Sequence, residues 1–220
     1  MQVINCFFFA SFFVLFSLPL SAHTFSGMIG FYDGLSHPVL GIDHFLAMVS
    51  VGIVSAQIGG RAIWTVPITF VCVMFVGGLI GITTEIISNS LNEDIIVLIN
   101  YELFYYFVDH LYSFIEFGII LSVIFLGLAI AIARQFSVGI TMVFVGIFGL
   151  CHGVAHGLEM PLAINPILFA LGFSFGTASL HLFGVIIGYN AIRSILSSIF
   201  LRAMGLICSV YGIYLFIINI

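Results

Sequence analysis

The chain has 220 residues, of which 62% are hydrophobic and only 6% are charged, with a net charge of −5. Soluble domains carry about 25% charged residues, so this composition excludes a surface that faces water throughout. Apolar runs of about 20 residues, without the alternating pattern of barrel strands, predict an all-α polytopic membrane protein with six transmembrane helices. No nucleotide-binding motif is present, so the chain is not expected to use ATP directly. No nucleic acid partner is expected either.

Residues 1–22 resemble a secretory signal peptide, because an apolar segment ends at Leu18 and is followed by the small-residue sequence Leu20-Ser21-Ala22. The usual basic start is missing, so retention of this segment as a membrane anchor stays an alternative. If it is cleaved, the mature chain begins at His23, whose α-amine and imidazole could chelate a metal ion. A flexible terminus is the competing interpretation. Residues 23–220 are predicted to form a single six-helix transmembrane permease domain.

The first span is predicted from Val39 to Gln57, and histidines and an aspartate surround its start. His37 and His44 are seven residues apart and share a face if one helix includes both, whereas Pro38 in a first-turn position would leave His37 in the lead-in. Asp43 could bind a metal ion beside His44, or it could hold the His44 imidazole in one tautomer. The competing interpretation is ordinary helix-start chemistry, in which an acidic residue suits the positive helix end.

A turn at Gly59-Gly60-Arg61 leads to the second span, predicted from Val66 to Thr83. Residues 85–115 then interrupt the apolar pattern and predict an extended periplasmic or interfacial loop, in which 95–108 is too short to span and forms an interfacial or re-entrant helix. The acidity of this loop could gather cations, although a simply solvated loop explains it equally well. The third span, predicted from Glu116 to Ala133, begins with a carboxylate, so Glu116 is a candidate accessory residue of a metal site.

The fourth span, predicted from Val138 to Leu158, ends in a dense group of polar residues. His152 and His156 are four residues apart and Glu159 follows on the same face, so two imidazoles and a carboxylate share one stripe of the helix. Such side chains suit a divalent metal ion, and ionisable residues in a membrane segment are costly enough to favour a functional interpretation. The alternative is a pair of histidines hydrogen-bonded between packed helices. Cys151 is interpreted as a small packing residue.

The fifth span, predicted from Ile164 to Gly188, carries His181 about 25 Å from the helix start, near the far end and beyond direct reach of the other histidines. His181 could serve an exit site, or it could be a buried histidine bonded to a neighbouring helix. Arg193 and Arg202 are predicted to bracket a turn or a surface helix before the sixth span, Ala203 to Ile218. Glycines repeated every fourth residue in several spans predict close contacts between helices.

The arginines predict the orientation of the chain in the membrane. They lie in or beside the turns after spans one, three and five, and the positive-inside rule places these turns in the cytoplasm and the mature N-terminus in the periplasm. The first span then begins, and the fourth ends, on the same outer side. We therefore expect two polar clusters to converge at one depth: His37, Asp43 and His44 from the first span, and His152, His156 and Glu159 from the fourth.

These clusters resemble the motifs of the HupE/UreJ family of bacterial nickel permeases. The matching segments are His37-x5-Asp43-His44, Leu46-Ala47-Met48, Val51-Gly52, Gln57-x-Gly59-Gly60-Arg61-Ala62 and His152-Gly153-x-Ala155-His156-Gly157-x-Glu159. The resemblance covers most of the mature chain, including the six-span layout and the segment around His181. Cys151 departs from the family pattern, which usually has an aromatic residue there, and the loop between spans two and three is longer than usual.

The resemblance implies secondary uptake of Ni²⁺, with Co²⁺ left open, across the bacterial inner membrane to supply hydrogenase or urease maturation. It implies that the motif residues form the metal-binding set, and that the chain is not an enzyme and holds no permanent cofactor. The expected partners are the divalent ion and the lipid bilayer, and a homo-oligomer is left open. Two alternatives remain: an intramembrane metal-dependent enzyme whose metal activates water, and a hydrogenase or urease accessory membrane protein without transport, whose histidines are structural.

Overall fold

The computed structural model describes residues 30–90, 101–133, 136–160 and 165–219, and every regular element in these ranges is an α-helix. The helices are α1 (Phe31–Leu40), α2 (Ile42–Ile58), α3 (Ala62–Ser90), α4 (Tyr101–Ile132), α5 (Val138–Glu159), α6 (Pro166–Ala191) and α7 (Ile195–Ile218). The predicted signal peptide, residues 1–22, and His23 lie outside the described residues.

Large apolar side chains cover the outside of the helix bundle, and Ile195, Ile167 and Phe114 are each at least 70% exposed. Water disfavours such a surface, whereas the hydrocarbon core of a bilayer is as apolar as the side chains themselves. Within the described ranges, five helices are long and apolar enough to cross a membrane, and α1 with α2 makes a sixth span if the bent pair counts as one. This is the architecture expected of a polytopic membrane protein.

Helix α2 lies at the centre of the bundle. Its residues from Ala47 to Ala56 are all buried, and it packs against α1, α3, α4 and α6. A helix that is apolar on all faces is stable when other helices surround it. The residues at the two ends of α2 therefore face the interior of the protein: His44 at one end, and at the other Gln57, whose amide donates to the carbonyl oxygen of Ile130.

Glycines bring neighbouring helices into backbone contact, as their spacing predicted. A Cβ atom at Gly153 of α5 would overlap the carbonyl oxygen of Met74 on α3, and one at Gly184 of α6 would overlap the carbonyl oxygen of Val49 on α2. Because no side chain fits at these positions, the helix backbones approach closely and are held by van der Waals contact. This packing sets the lateral positions of α2, α5 and α6, which carry the histidines.

The first predicted span is broken, whereas the sequence indicated one helix from Val39. Helices α1 and α2 meet at an angle of 85°, and Gly41 between them has an extended backbone with φ −80° and ψ 114°. Pro38 lies inside α1 and lacks the N–H that would bond back along the helix, and the glycine three residues later offers no helix-forming side chain. The predicted helix start at Val39 is therefore wrong, because α2 begins at Ile42. His37 belongs to a separate helix, which is neither of the two alternatives that the sequence left open.

The predicted loop of residues 85–115 is mostly helical. Residues 85–90 complete α3 and residues 101–115 begin α4, while 91–100 lie outside the described residues. The 32 residues of α4 extend over about 48 Å, which exceeds the hydrocarbon thickness of about 30 Å. The part of α4 that is apolar enough to cross a membrane begins only at His110, so the first turns of α4 are additional to the span.

The predicted break between Arg193 and Arg202 is also shorter than expected. Helix α7 already begins at Ile195, so Arg202 is part of the sixth span rather than of a separate surface helix. Its guanidinium Nε donates to the carbonyl oxygen of Ala131 at 2.8 Å. This bond satisfies one of the carbonyls that the end of α4 leaves unpaired, so the arginine is accommodated inside the helix.

Candidate metal centre

Three histidines from three helices bring their ring nitrogens together. His37 on α1, His44 on α2 and His156 on α5 each offer one nitrogen, and these three atoms lie within 4.8 Å of one another. The Nε2 atoms of His44 and His156 are 2.7 Å apart. Two imidazole nitrogens bound about 2.1 Å from one ion at a right angle would lie about 3 Å apart, so this spacing is close to that of shared ligation. We call these residues the three-histidine site.

The bend at Gly41 creates this arrangement. It turns α1 across the end of α2, so that the ring of His37 packs against the ring of His156, with 4.7 Å between the centroids. A Cβ atom at Gly41 would lie 3.3 Å from both Asp43 Oδ1 and His44 Nδ1, which is tighter than ordinary contact. The glycine therefore permits the bend and also leaves room for the side chains that follow it.

Asp43 holds His44 in one tautomer. Asp43 Oδ1 lies 2.9 Å from His44 Nδ1, and because a carboxylate oxygen only accepts, the Nδ1–H donates, so that in the neutral imidazole Nε2 keeps its lone pair. That lone pair is directed at the three-histidine site. Of the two roles that the sequence left open for Asp43, the geometry favours the orienting role, since the closely spaced ligand atoms among the described residues come from the histidines.

We expect Asp43→Leu, which replaces the carboxylate with a larger side chain that cannot accept a hydrogen bond, to weaken metal binding about 10–100-fold, because His44 loses its preferred tautomer and orientation. Asp43→Asn retains an oxygen acceptor and should weaken binding less. The measurement is the dissociation constant of a divalent metal ion, determined by equilibrium dialysis against the full-length protein in detergent. Equal losses in the two variants would contradict the orienting role and favour direct ligation by the charged carboxylate.

His152 and Glu159 flank the three-histidine site at different depths. His152 is fully buried, and its Nδ1 lies 2.8 Å from the carbonyl oxygen of Phe148. Because a carbonyl only accepts, Nδ1 donates and the Nε2 lone pair is left without a partner among the described residues. At the outer end, Glu159 Oε2 lies 3.5 Å from His156 Nδ1, beyond the usual hydrogen-bond range. The motif of the fourth span thus supplies one closely placed ligand and two flanking groups.

Carboxylates surround the outer end of the three-histidine site, which we call the mouth. Asp43, Glu116 and Glu159 all act electrostatically on the His44 imidazole. Side-chain exposure falls from 40% for Glu159 and 33% for Asp43 to 5% for His156. The mouth therefore combines negative charge with access from outside the bundle, and Glu116, the accessory residue predicted from the sequence, lies within its electrostatic reach.

The sequence placed His181 near the far end of the fifth span. In the structure, His181 instead lies deep in the bundle. Its backbone packs against Gly52 in the middle of α2, and its side chain is 1% exposed. The prediction counted only the residues along α6. In the structure, α1 packs against the first turns of α6 at Gly172 and Gly176. The contact between α2 and α6 therefore lies further along α6.

Phe70 of α3 contacts both His181 and His152. Its ring centroid is 5.0 Å from that of His181 and 5.5 Å from that of His152. Sequence reasoning missed Phe70, because it is one of 25 phenylalanines and nothing in its spacing distinguishes it. The sequence predicted that His181 lies apart from the other histidines. In the structure, the aromatic ring of Phe70 contacts both His152 and His181.

A family model described as HupE / UreJ protein matches residues 11–98 and 107–215 of the chain. The chain belongs to the HupE/UreJ family. Protein HupE of Rhizobium leguminosarum bv. viciae is 35% identical over 171 residues, which are 77% of this chain and 76% of that protein. No solved structure is significantly similar to the chain.

In this HupE/UreJ chain, Cys151 faces away from the three-histidine site. Its Sγ occupies the space beside Gly118 of α4, and its side chain packs in a small apolar cluster with Ile115 and Ile119. These contacts support the interpretation of Cys151 as a packing residue. The sequence difference next to His152 therefore affects the contact between α4 and α5 rather than the ligand group.

Proposed function

We propose that this HupE/UreJ protein carries divalent nickel into the cell across the bacterial inner membrane, by facilitated diffusion through the three-histidine site. The observation that carries the proposal is the convergence of three histidine nitrogens from separate helices within 4.8 Å, beside an acidic mouth in a bundle of apolar helices. Imidazole nitrogens suit Ni²⁺, Co²⁺, Cu²⁺ and Zn²⁺. The choice of nickel rests on the family resemblance, and cobalt is the second candidate cargo.

The distribution of charge supports an outward-facing mouth. Arg61 follows the end of α2 that is opposite His44, and Arg202 binds the end of α4 next to Gln57 of α2. The positive-inside rule assigns this arginine end to the cytoplasm, so the mouth faces the periplasm. Carboxylates at the mouth then attract cations from the side on which uptake begins.

The tautomers indicate how the site accepts an ion. Since His44 Nε2 carries a lone pair, the 2.7 Å contact with His156 Nε2 requires a proton on His156. An ion that binds both Nε2 atoms replaces this proton, and His156 Nδ1 can carry it instead, near the Glu159 carboxylate at 3.5 Å. Glu159 would then support the ligating tautomer of His156 as Asp43 supports that of His44. Neutral imidazoles hold the ion less firmly than a thiolate cage, which favours its release.

Uptake of radioactive nickel into vesicles reconstituted with the full chain tests the proposal. We expect saturable net uptake, and a competition series with other divalent ions identifies the preferred cargo. An intramembrane enzyme would convert a substrate without net ion flux, and an accessory protein without transport would show neither activity. Correctly inserted protein that gives no uptake above empty vesicles would overturn the transport function. The imported nickel would supply hydrogenase or urease maturation.

A further inference from the structure

Helix α6 carries two buried polar side chains, deeper in the bundle than the three-histidine site, that have no hydrogen-bond partner among the described residues. Thr177 is 0% exposed and His181 is 1% exposed. Within the described part of the chain, neither the Thr177 hydroxyl nor either ring nitrogen of His181 has a hydrogen-bond partner. The two residues are four apart and therefore lie on one face of the helix. Three unsatisfied polar atoms thus occupy one region of the protein interior.

The Thr177 hydroxyl is unusual for this protein. Each of the other threonines in the described ranges donates its hydroxyl to a backbone carbonyl three or four residues earlier: Thr65, Thr69, Thr83, Thr84 and Thr141. This local bond is the ordinary way for a helical threonine to satisfy its hydroxyl. Buried polar groups that have no partner are rare and call for an explanation, of which a bound ion, a ligand or an ordered water is the usual one.

A row of side chains connects this region with the three-histidine site. The ring of His152 lies 5.3 Å from the ring of His44, between centroids, and 5.5 Å from the ring of Phe70. The Nε2 atom of His152 also lacks a hydrogen-bond partner among the described residues. Phe70 in turn contacts His181. Two imidazoles that each have a ring nitrogen without a partner among the described residues, His152 and His181, therefore contact the same aromatic ring.

We propose that His181 and Thr177 form a second, inner position for the same divalent cation, which the ion reaches by way of His152 and past the ring of Phe70. This inference rests on the proposed transport function. One imidazole nitrogen and one hydroxyl oxygen leave most coordination positions to water, so the inner position holds the ion weakly and releases it toward the arginine end. Conduction requires such multiple weak sites.

The test combines nickel uptake into vesicles with equilibrium dialysis of radioactive nickel against the full-length protein in detergent. His181→Ala is expected to lower the initial uptake rate about 10-fold or more, comparable to the loss of a metal-site residue. It should also remove one bound nickel ion per chain at saturation, while the ion in the three-histidine site remains. Thr177→Val should lower uptake by a few-fold. The matched control is Thr141→Val, which removes a buried hydroxyl bonded to Ser137 and should leave uptake and binding unchanged.

A second variant distinguishes ligation from a structural role. His181→Cys introduces a thiolate, which prefers soft ions, so the ratio of cadmium uptake to nickel uptake should rise above that of the unmodified protein. The inference is overturned if His181→Ala binds and transports nickel normally, or if the alanine and cysteine variants lose uptake of both ions equally. If the unmodified protein transports no nickel, the proposed function fails, and the difference in bound nickel between it and His181→Ala still decides whether the inner position exists.

Discussion

His44→Ala is expected to reduce nickel accumulation to the level of vesicles without protein, while the variant remains in the membrane. The change removes the Nε2 atom that lies 2.7 Å from His156 Nε2, and it leaves Asp43 without the imidazole that it orients. His44 is partly exposed at the mouth, with 14% side-chain exposure, so its loss leaves the packed core intact. His152→Ala should have the same effect on accumulation. The measurement is radioactive nickel uptake, normalised to the amount of inserted protein.

Cys151→Ser is the matched control for these histidine variants. The residue precedes His152 in the chain, but its side chain packs against α4, beside Gly118. Serine has a similar volume, so uptake should stay close to that of the unmodified protein. Normal uptake by both His44→Ala and His152→Ala would defeat the assignment of the site. Complete loss in Cys151→Ser would show that this residue has more than a packing role.

Gly153→Ala is expected to prevent stable assembly of the helix bundle. Its Cβ atom would overlap the carbonyl oxygen of Met74, which belongs to the backbone of α3 and cannot rotate away. Overpacking typically costs about 1–3 kcal/mol and more where backbone must move, so α3 and α5 would have to separate along their contact. The measurement is the yield of monodisperse protein in detergent, together with its thermal unfolding midpoint.

Gly146→Ala provides the comparison on the same helix and against the same neighbour. A Cβ atom there would lie 3.8 Å from side-chain atoms of Thr69 and Val73, an ordinary van der Waals distance. We expect normal yield and an unfolding midpoint near that of the unmodified protein. Similar losses in the two alanine variants would contradict the role of close backbone contact and point to a general intolerance of α5 to substitution.

The same packing explains why the geometry of the three-histidine site depends on residues outside it. His152 and His156 are carried by α5, whose lateral position is set by its contact with α3 at Gly153. The distance from His156 to His44 therefore depends on the separation at which α3 and α5 pack. A substitution at a glycine can abolish nickel uptake through this distance alone, so measurements of protein yield must accompany every measurement of uptake.

The class of protein, the approximate spans and the two polar motifs could be predicted from the residues alone. Composition and apolar run length are local properties of the chain, and they respond directly to the solvent that surrounds each segment. The spacing of His152, His156 and Glu159 likewise depends only on the repeat of a helix. The prediction that His44 and His156 lie close together followed from the number of spans. Successive spans cross the membrane in opposite directions, so the first span begins on the same side on which the fourth ends.

Tertiary packing decided which of these residues are neighbours. The break at Gly41 makes His37 a partner of His156 from a separate helix, and a sequence with Pro38 near a helix start is compatible with either a continuous or a broken span. The orienting bond from Asp43 to His44, the place of Phe70 beside His152 and the unsatisfied hydroxyl of Thr177 all depend on side-chain contacts within and between helices. Such contacts depend on the distance between the helices and on the angle at which they bend. Residues far apart in the chain together determine this distance and this angle.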